Sequence, residues 1–96
     1  MIPTTAMLIA KEDVPSLVFP NEPVRLSPVH REDRERKVRK AMRLGNNEHH
    51  KCRILFRDNV GLKLVETTVW SFDEKNVVLK YGHRIPLERV IDITFF

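Results

Sequence analysis

With 96 residues the chain has room for one domain, and a hydrophobic share of 42% excludes wholesale disorder. A single cysteine, Cys52, excludes an intrachain disulfide and with it a stapled secreted scaffold. The net charge of +4 is unevenly spread: residues 30–44 carry seven Arg and Lys against three acids, while residues 1–29 sum to −1 and residues 45–96 to +1, so that one segment is where an acidic partner is sought.

Residues 1–27 read as an extended, proline-rich arm. Five of the six prolines (Pro3, Pro15, Pro20, Pro23 and Pro28) fall within the first 28 residues, and each removes a backbone donor and biases its predecessor away from helix. Two apolar clusters interrupt the arm, Ala6 to Ala10 and Leu17-Val18-Phe19. A purely solvated tail rarely carries such clusters, so the expectation is a strap laid on a sheet edge or on a partner protein, with Leu17, Val18 and Phe19 as the protein-interaction candidates. The stretch Ala6 to Ala10 is cut off by Lys11-Glu12-Asp13, too short for a signal-peptide core or for the ~20 residues of a membrane span, and the expected setting is the reducing cytoplasm.

Residues 28–45 predict one basic helix. Ser27 can cap it, Pro28 suits its first position, and Gly45-Asn46-Asn47 is the expected stop. Its apolar stripe is thin, Val38, Ala41 and Met42 with Leu44 beside it, so it should pack lightly and leave most of its surface wet. Arg36, Arg39, Lys40 and Arg43 have a spacing suited to phosphate contacts. The competing reading is a solvated helix in which Glu32, Asp33 and Glu35 pair with Arg36, Lys37 and Arg39 at i+3 and i+4.

Residues 46–96 read as short strands with a turn about every ten residues. Cys52, Ile54 and Phe56 alternate with Arg53, Leu55 and Arg57; Asp58-Asn-Val-Gly61 is a turn; Leu62 to Phe72 is a long strand apolar on both faces, as a bent strand serving two sheets would be. Asp73-Glu-Lys-Asn76 makes the next turn, Val77 to Tyr81 a strand, Tyr81-Gly-His-Arg84 a tight hairpin, then a short strand that Pro86 ends, Leu87-Glu-Arg89 a single helical turn, and Ile91 to Phe95 the last strand. This spacing predicts a small five-stranded β-barrel. A packed unit this small buries only roughly 60% of its unfolded surface, so it should recruit the arm, the helix or a second copy of itself.

The stretch Ser71-Phe-Asp-Glu-Lys-Asn-Val-Val-Leu79 is similar to the first Sm motif, although Asp73 and Asn76 stand one residue closer than that motif requires and its strand-opening Gly is missing. Tyr81-Gly-His83 resembles the Tyr-Lys-His of Hfq-type RNA chaperones. The pattern from Val77 to Ile93, with Gly82 and Ile85-Pro-Leu87 inside it, looks like the Rho-binding antitermination (Rof-type) barrels. These resemblances imply an Sm-like or SH3-like fold, and either an RNA or a protein of the transcription machinery as partner.

Catalysis has no constellation to rest on. The three glycines make no phosphate-binding loop, there is no G-x-S-x-G, and no Cys–His pair suggests itself, so a non-enzyme is expected. His49, His50 and Cys52 invite a metal reading, but structural zinc needs four ligands and Cys52 alternates inward with Ile54 and Phe56; no metal and no cofactor are expected. Trp70, Phe72 and Tyr81 are placed to stack bases if exposed, but a lone Trp in so small a domain is expected in the core. Arg57, Lys63, Lys80 and Arg84, on or beside turns, could extend a basic track from the helix. The sequence thus points to a small cytoplasmic nucleic-acid-binding module, directed at RNA, with a protein-interaction module docking through the arm or a sheet edge as the alternative and self-association as the third reading. No membrane partner is expected.

Overall fold

The computed structural model describes residues 6–96; the first five residues of the expected arm, Pro3 among them, lie outside the described residues. Strand β1 (Met7–Ile9) is followed by a 3-10 turn at Lys11–Ser16, then an extended strap, then helix α1 (Pro28–Glu48). The rest is β2 (Cys52–Arg57), β3 (Leu62–Thr67), β4 (Val69–Phe72), β5 (Asn76–Leu79), β6 (Arg84–Pro86) and β7 (Val90–Phe95), with 3-10 turns at Lys80–Gly82 and Leu87–Arg89.

Seven strands form two open sheets, ordered β1-β3-β2-β7 and β4-β5-β6, and with α1 they make a small mixed α/β domain. This corrects the closed five-stranded barrel expected from the turn spacing. The strand expected over residues 62–72 breaks at Thr68, so β3 ladders with β2 while β4 ladders with β5. At the other seam the turn Leu87–Arg89 separates β6 from β7. No ladder crosses either seam, and α1 packs on β4 and β7, one strand from each sheet. The arm contributes the remaining strand: β1 lies parallel to β3, Leu8 opposite Leu64, and occupies an edge that would otherwise present unpaired backbone groups.

The core gathers the inward residues of both sheets, Ile54, Phe56, Val65, Val69, Val77, Leu79, Ile85, Val90 and Ile93, all at most 2% exposed. Val38 and Ala41 join them from the helix and Val14 from the first 3-10 turn. Leu17 and Phe19 pack against this cluster from the strap, the Phe19 ring centroid 5.9 Å from that of Phe56.

Buried polar side chains hold the strap and turns. Arg89 is a clasp: its Nε donates to the Arg57 carbonyl at 2.9 Å, and its other nitrogens reach the carbonyls of Asp58 and, across the strap, Glu22. Asp58 Oδ1 accepts from the N–H groups of Val60 (2.8 Å) and Gly61 (2.9 Å), and Oδ2 lies 3.1 Å from Lys63 Nζ in a buried ion pair.

Helix α1 overruns its expected stop. Ser27 Oγ caps the start by accepting from His30 N at 3.1 Å. At the other end the left-handed residue is His49 (φ 54°), so Gly45, Asn46 and Asn47 are all helical. Gly45 is there for proximity: it sits on the buried stripe Arg34, Val38, Ala41, Gly45, pressed against β4.

Candidate nucleic-acid interface

The buried stripe fixes what α1 shows to solvent. With Arg34, Val38, Ala41 and Gly45 facing the sheets, a 3.6-residue period turns Arg36, Arg39, Lys40 and Arg43 outward, and all four are exposed. Two of these cations have helical partners at the spacing the sequence suggests, Arg36 with Asp33 at 3.4 Å and Arg39 with Glu35 at 3.1 Å. Lys37 is turned aside to Asp92 on β7 (2.7 Å) and to Asp33 (3.1 Å), and its hydrogen bond to Asp92 holds the ammonium above its usual pKa. Lys40 and Arg43 make no ion pair among the described residues; Lys40 Nζ stands 4.6 Å from the centroid of the Phe95 ring.

A second group of side chains lies beyond the C-terminal end of this face. Asn46 Nδ2 donates to the Trp70 carbonyl at 3.1 Å, tying the last turns of α1 to β4. Trp70 is 44% exposed, which corrects its expected place in the core; Phe72 is the one of that pair that packs inward. Tyr81, 63% exposed, meets Trp70 edge-on at 6.4 Å and His83 edge-on at 6.4 Å. Lys80 Nζ and Lys11 Nζ lie 5.3 and 5.6 Å from the Tyr81 ring centroid. The turn that presents this ring is unusual. Tyr81 has φ 67° and Gly82 φ 80°, so a bulky residue occupies a left-handed position where Gly or Asn is normally found.

Bases stack on exposed aromatic faces, and cations around the same ring neutralise the backbone that carries them, so the arrangement suits a flexible polyanion with planar groups. His83 is the residue that the Hfq-like Tyr81-Gly-His83 stretch brings to notice, whereas Lys11 is not among the sequence's candidates. Lys11 sits 70 residues from Tyr81 in a turn that carries no sequence signal of proximity, and the contact exists because β1 docks on β3.

The remaining candidates divide. Lys80 belongs to the Tyr81 group. Arg84, on β6 opposite Val78, lies near Asp73, whose carboxyl is held below its usual range by the N–H groups of Asn76 and Lys75, with Arg84 adding to the effect. Arg57 is exposed at the end of β2, beside Arg89 and the strap residues 22–26, so it does not extend the track from the helix. Of the three protein-interaction candidates, Leu17 and Phe19 pack inward, while Val18 is 61% exposed and its carbonyl accepts from Asn59 N at 2.9 Å.

Cys52 is buried, and burial pushes its thiol up to about 12, a poor nucleophile and metal ligand at neutral pH. Among the described residues no three His, Cys, Asp or Glu side chains converge as a metal set, and no helix is long and apolar enough to cross a membrane. Comparison with protein-family models, with curated proteins and with solved structures finds no match for the chain.

Proposed function

We propose that the protein is a binding module for single-stranded nucleic acid, RNA in the first instance. Bases stack on Trp70 and Tyr81, Lys11 and Lys80 neutralise the adjoining phosphates, and the strand continues over the outward face of α1 along Arg43, Lys40, Arg39 and Arg36. The observation that carries this reading is the exposed Trp70–Tyr81 pair ringed by two lysines. Large aromatics left in solvent are costly unless something covers them, and a base offers a flat, sequence-tolerant partner. The unpaired state of Lys40 and Arg43 adds support, because cations already neutralised by carboxylates release fewer counterions.

Trp70 is the chain's only tryptophan, so its own fluorescence reads the site. Titration with a mixed-sequence RNA of a dozen or so nucleotides, and with its DNA equivalent, should quench that emission. The four of these six cations that make no ion pair among the described residues, Lys11, Lys80, Lys40 and Arg43, give a salt slope near −3 for a single strand, so affinity should fall about 50-fold between ~50 and ~200 mM salt. Unchanged emission at the lower salt overturns the reading.

A further inference from the structure

On the side of α1 away from its outward cations, a cavity of about 400 Å³ opens between strap residues 23–26, the first turns of the helix and the turn that follows β6. Its charged lining is Arg25 from the strap, Arg31 and Arg34 from the helix, and Glu88 from the turn. Arg34 is nine-tenths buried, and burial pulls its guanidinium below the usual pKa. Its Nη1 donates to the Val90 carbonyl at 3.1 Å, whereas its Nε is buried with no acceptor. The only hydrogen bond of Arg34 among the described residues is thus made from the end of the guanidinium that lies across from the Nε–Nη2 edge. Of that edge Nε is closed off from solvent, which leaves Nη2, with no acceptor among the described residues, as the group a ligand can reach. A largely buried guanidinium with unanswered N–H groups is costly, and an oxyanion at Nη2 supplies an acceptor and a counter-charge.

We propose that this cavity binds a phosphate monoester. Three arginines against one glutamate leave a local charge of +2, which a phosphate monoester at neutral pH matches and a single carboxylate does not. The volume equals that of about thirteen liquid waters, room for the phosphate and part of the group it esterifies. Arg34 receives the phosphate at Nη2, and the exposed Arg25 and Arg31 close on its remaining oxygens. Glu88 opposes the anion and selects against more highly charged ones. The site stands apart from the nucleic-acid reading, since Arg34 lies on the buried stripe and Arg36 and Arg43 on the opposite face. Two sources offer the same group: a free phosphorylated small molecule, or the 5′-terminal phosphate of a nucleic-acid strand.

The test follows the Arg34 Nε–H resonance of the full chain in nitrogen–proton correlation spectra during titration with inorganic phosphate, uridine monophosphate and uridine. Phosphate and the monophosphate should move that resonance and protect it from exchange, and uridine should not. Arg25→Gln and Arg31→Gln, both at exposed positions that leave the fold intact, should each weaken monophosphate binding about fivefold or more, since each removes a charge-assisted contact. Glu88→Gln should tighten it. A resonance unmoved at ~10 mM phosphate, where a site with Kd ~1 mM is nine-tenths filled, overturns the proposal, as does binding indifferent to both arginine substitutions. Tighter binding of a 5′-phosphorylated oligonucleotide than of its 5′-hydroxyl form assigns the strand end as source; equal binding of the two beside uridine monophosphate binding assigns the free small molecule.

Discussion

Gly45 and Val69 touch backbone to backbone: a Cβ at residue 45 would lie 2.3 Å from the Val69 carbonyl oxygen and 2.9 Å from Thr68 Cγ2. No rotamer relieves a clash between a Cβ and a carbonyl, so the helix and β4 must separate to admit one. In an ordinary helix interior, Gly→Ala stabilises by about 1 kcal/mol. Here Gly45→Ala should destabilise by about 1–3 kcal/mol, the cost of overpacking, and loosen the Asn46–Trp70 hydrogen bond. Urea unfolding of the variant checks the sign, and a stabilised variant would show that the two elements are not held as described.

Tyr81 should separate stability from binding. Its left-handed backbone is a strain that glycine would relieve, offset by glycine's greater chain entropy. Tyr81→Gly should therefore leave the unfolding free energy within about 1 kcal/mol of the parent. Loss of a stacking face should lower RNA affinity about fivefold or more. Thermal melts and Trp70 fluorescence titrations measure the two quantities on one sample, and unaltered affinity would remove Tyr81 from the interface.

Asp58 should make stability depend on acid pH. Burial alone would raise its pKa, but the N–H groups of Gly61 and Val60 and the Lys63 ammonium outweigh it, and the carboxyl lies below its ordinary value of 3.8. A carboxylate depressed in the folded state contributes its stability in full above the unfolded pKa and loses it as pH falls through the folded one. The unfolding midpoint in urea should hold from neutrality down to about pH 5 and decline below about pH 4. In Asp58→Asn the neutral-pH midpoint should drop, because Lys63 is left buried without its partner, and the acid decline should flatten. An acid decline of unchanged steepness in the variant would assign it to other carboxylates, Asp33 and Asp73 among them.

Arg89→Met should release the strap. Three carbonyls lose their donor at once, and the guanidinium is the side chain that joins Glu22 to the β2–β3 turn. A loss of about 3 kcal/mol is expected. Limited proteolysis should show new cleavage within residues 17–26, and a strap as resistant as the parent's would place its anchorage in Leu17, Phe19 and the backbone bonds of Val18 to Asn59 and Val24 to Glu88.

What the sequence reveals here is what depends on local pattern. The alternation Cys52, Ile54, Phe56 marks the buried face of β2, Ser27-Pro28 marks the start of α1, and Leu87-Glu-Arg89 marks a single helical turn. The barrel expectation failed at Thr68, where nothing in Glu66-Thr-Thr-Val69 announces a strand break; the Ala6 to Ala10 cluster does lie on a sheet edge as expected, but its partner β3 stands more than fifty residues away and is not marked in the sequence. Gly45 misled because one residue type serves both helix ends and close approaches. Arg34 shares the spacing of Val38, Ala41 and Gly45, but a charged residue at that spacing does not by itself announce burial. Charge counting located Arg36, Arg39, Lys40 and Arg43, and the i+3 and i+4 spacing already pairs Arg36 with Asp33 and Arg39 with Glu35; that Lys37 turns to Asp92 and Lys40 to Phe95 depends on how β7 packs.

The clasp between Arg89 and Glu22 spans 67 residues of chain. The i,i+4 bonds of α1 and the β2–β3 and β5–β6 ladders link near neighbours and are formed early, whereas the strap can find its seat only after β2, β7 and the turn before β7 stand together. Its docking is therefore expected after the folding transition state. Weakening the clasp should leave the refolding rate unchanged and speed unfolding, so that the strap would set the lifetime of the native protein and not the rate of its formation.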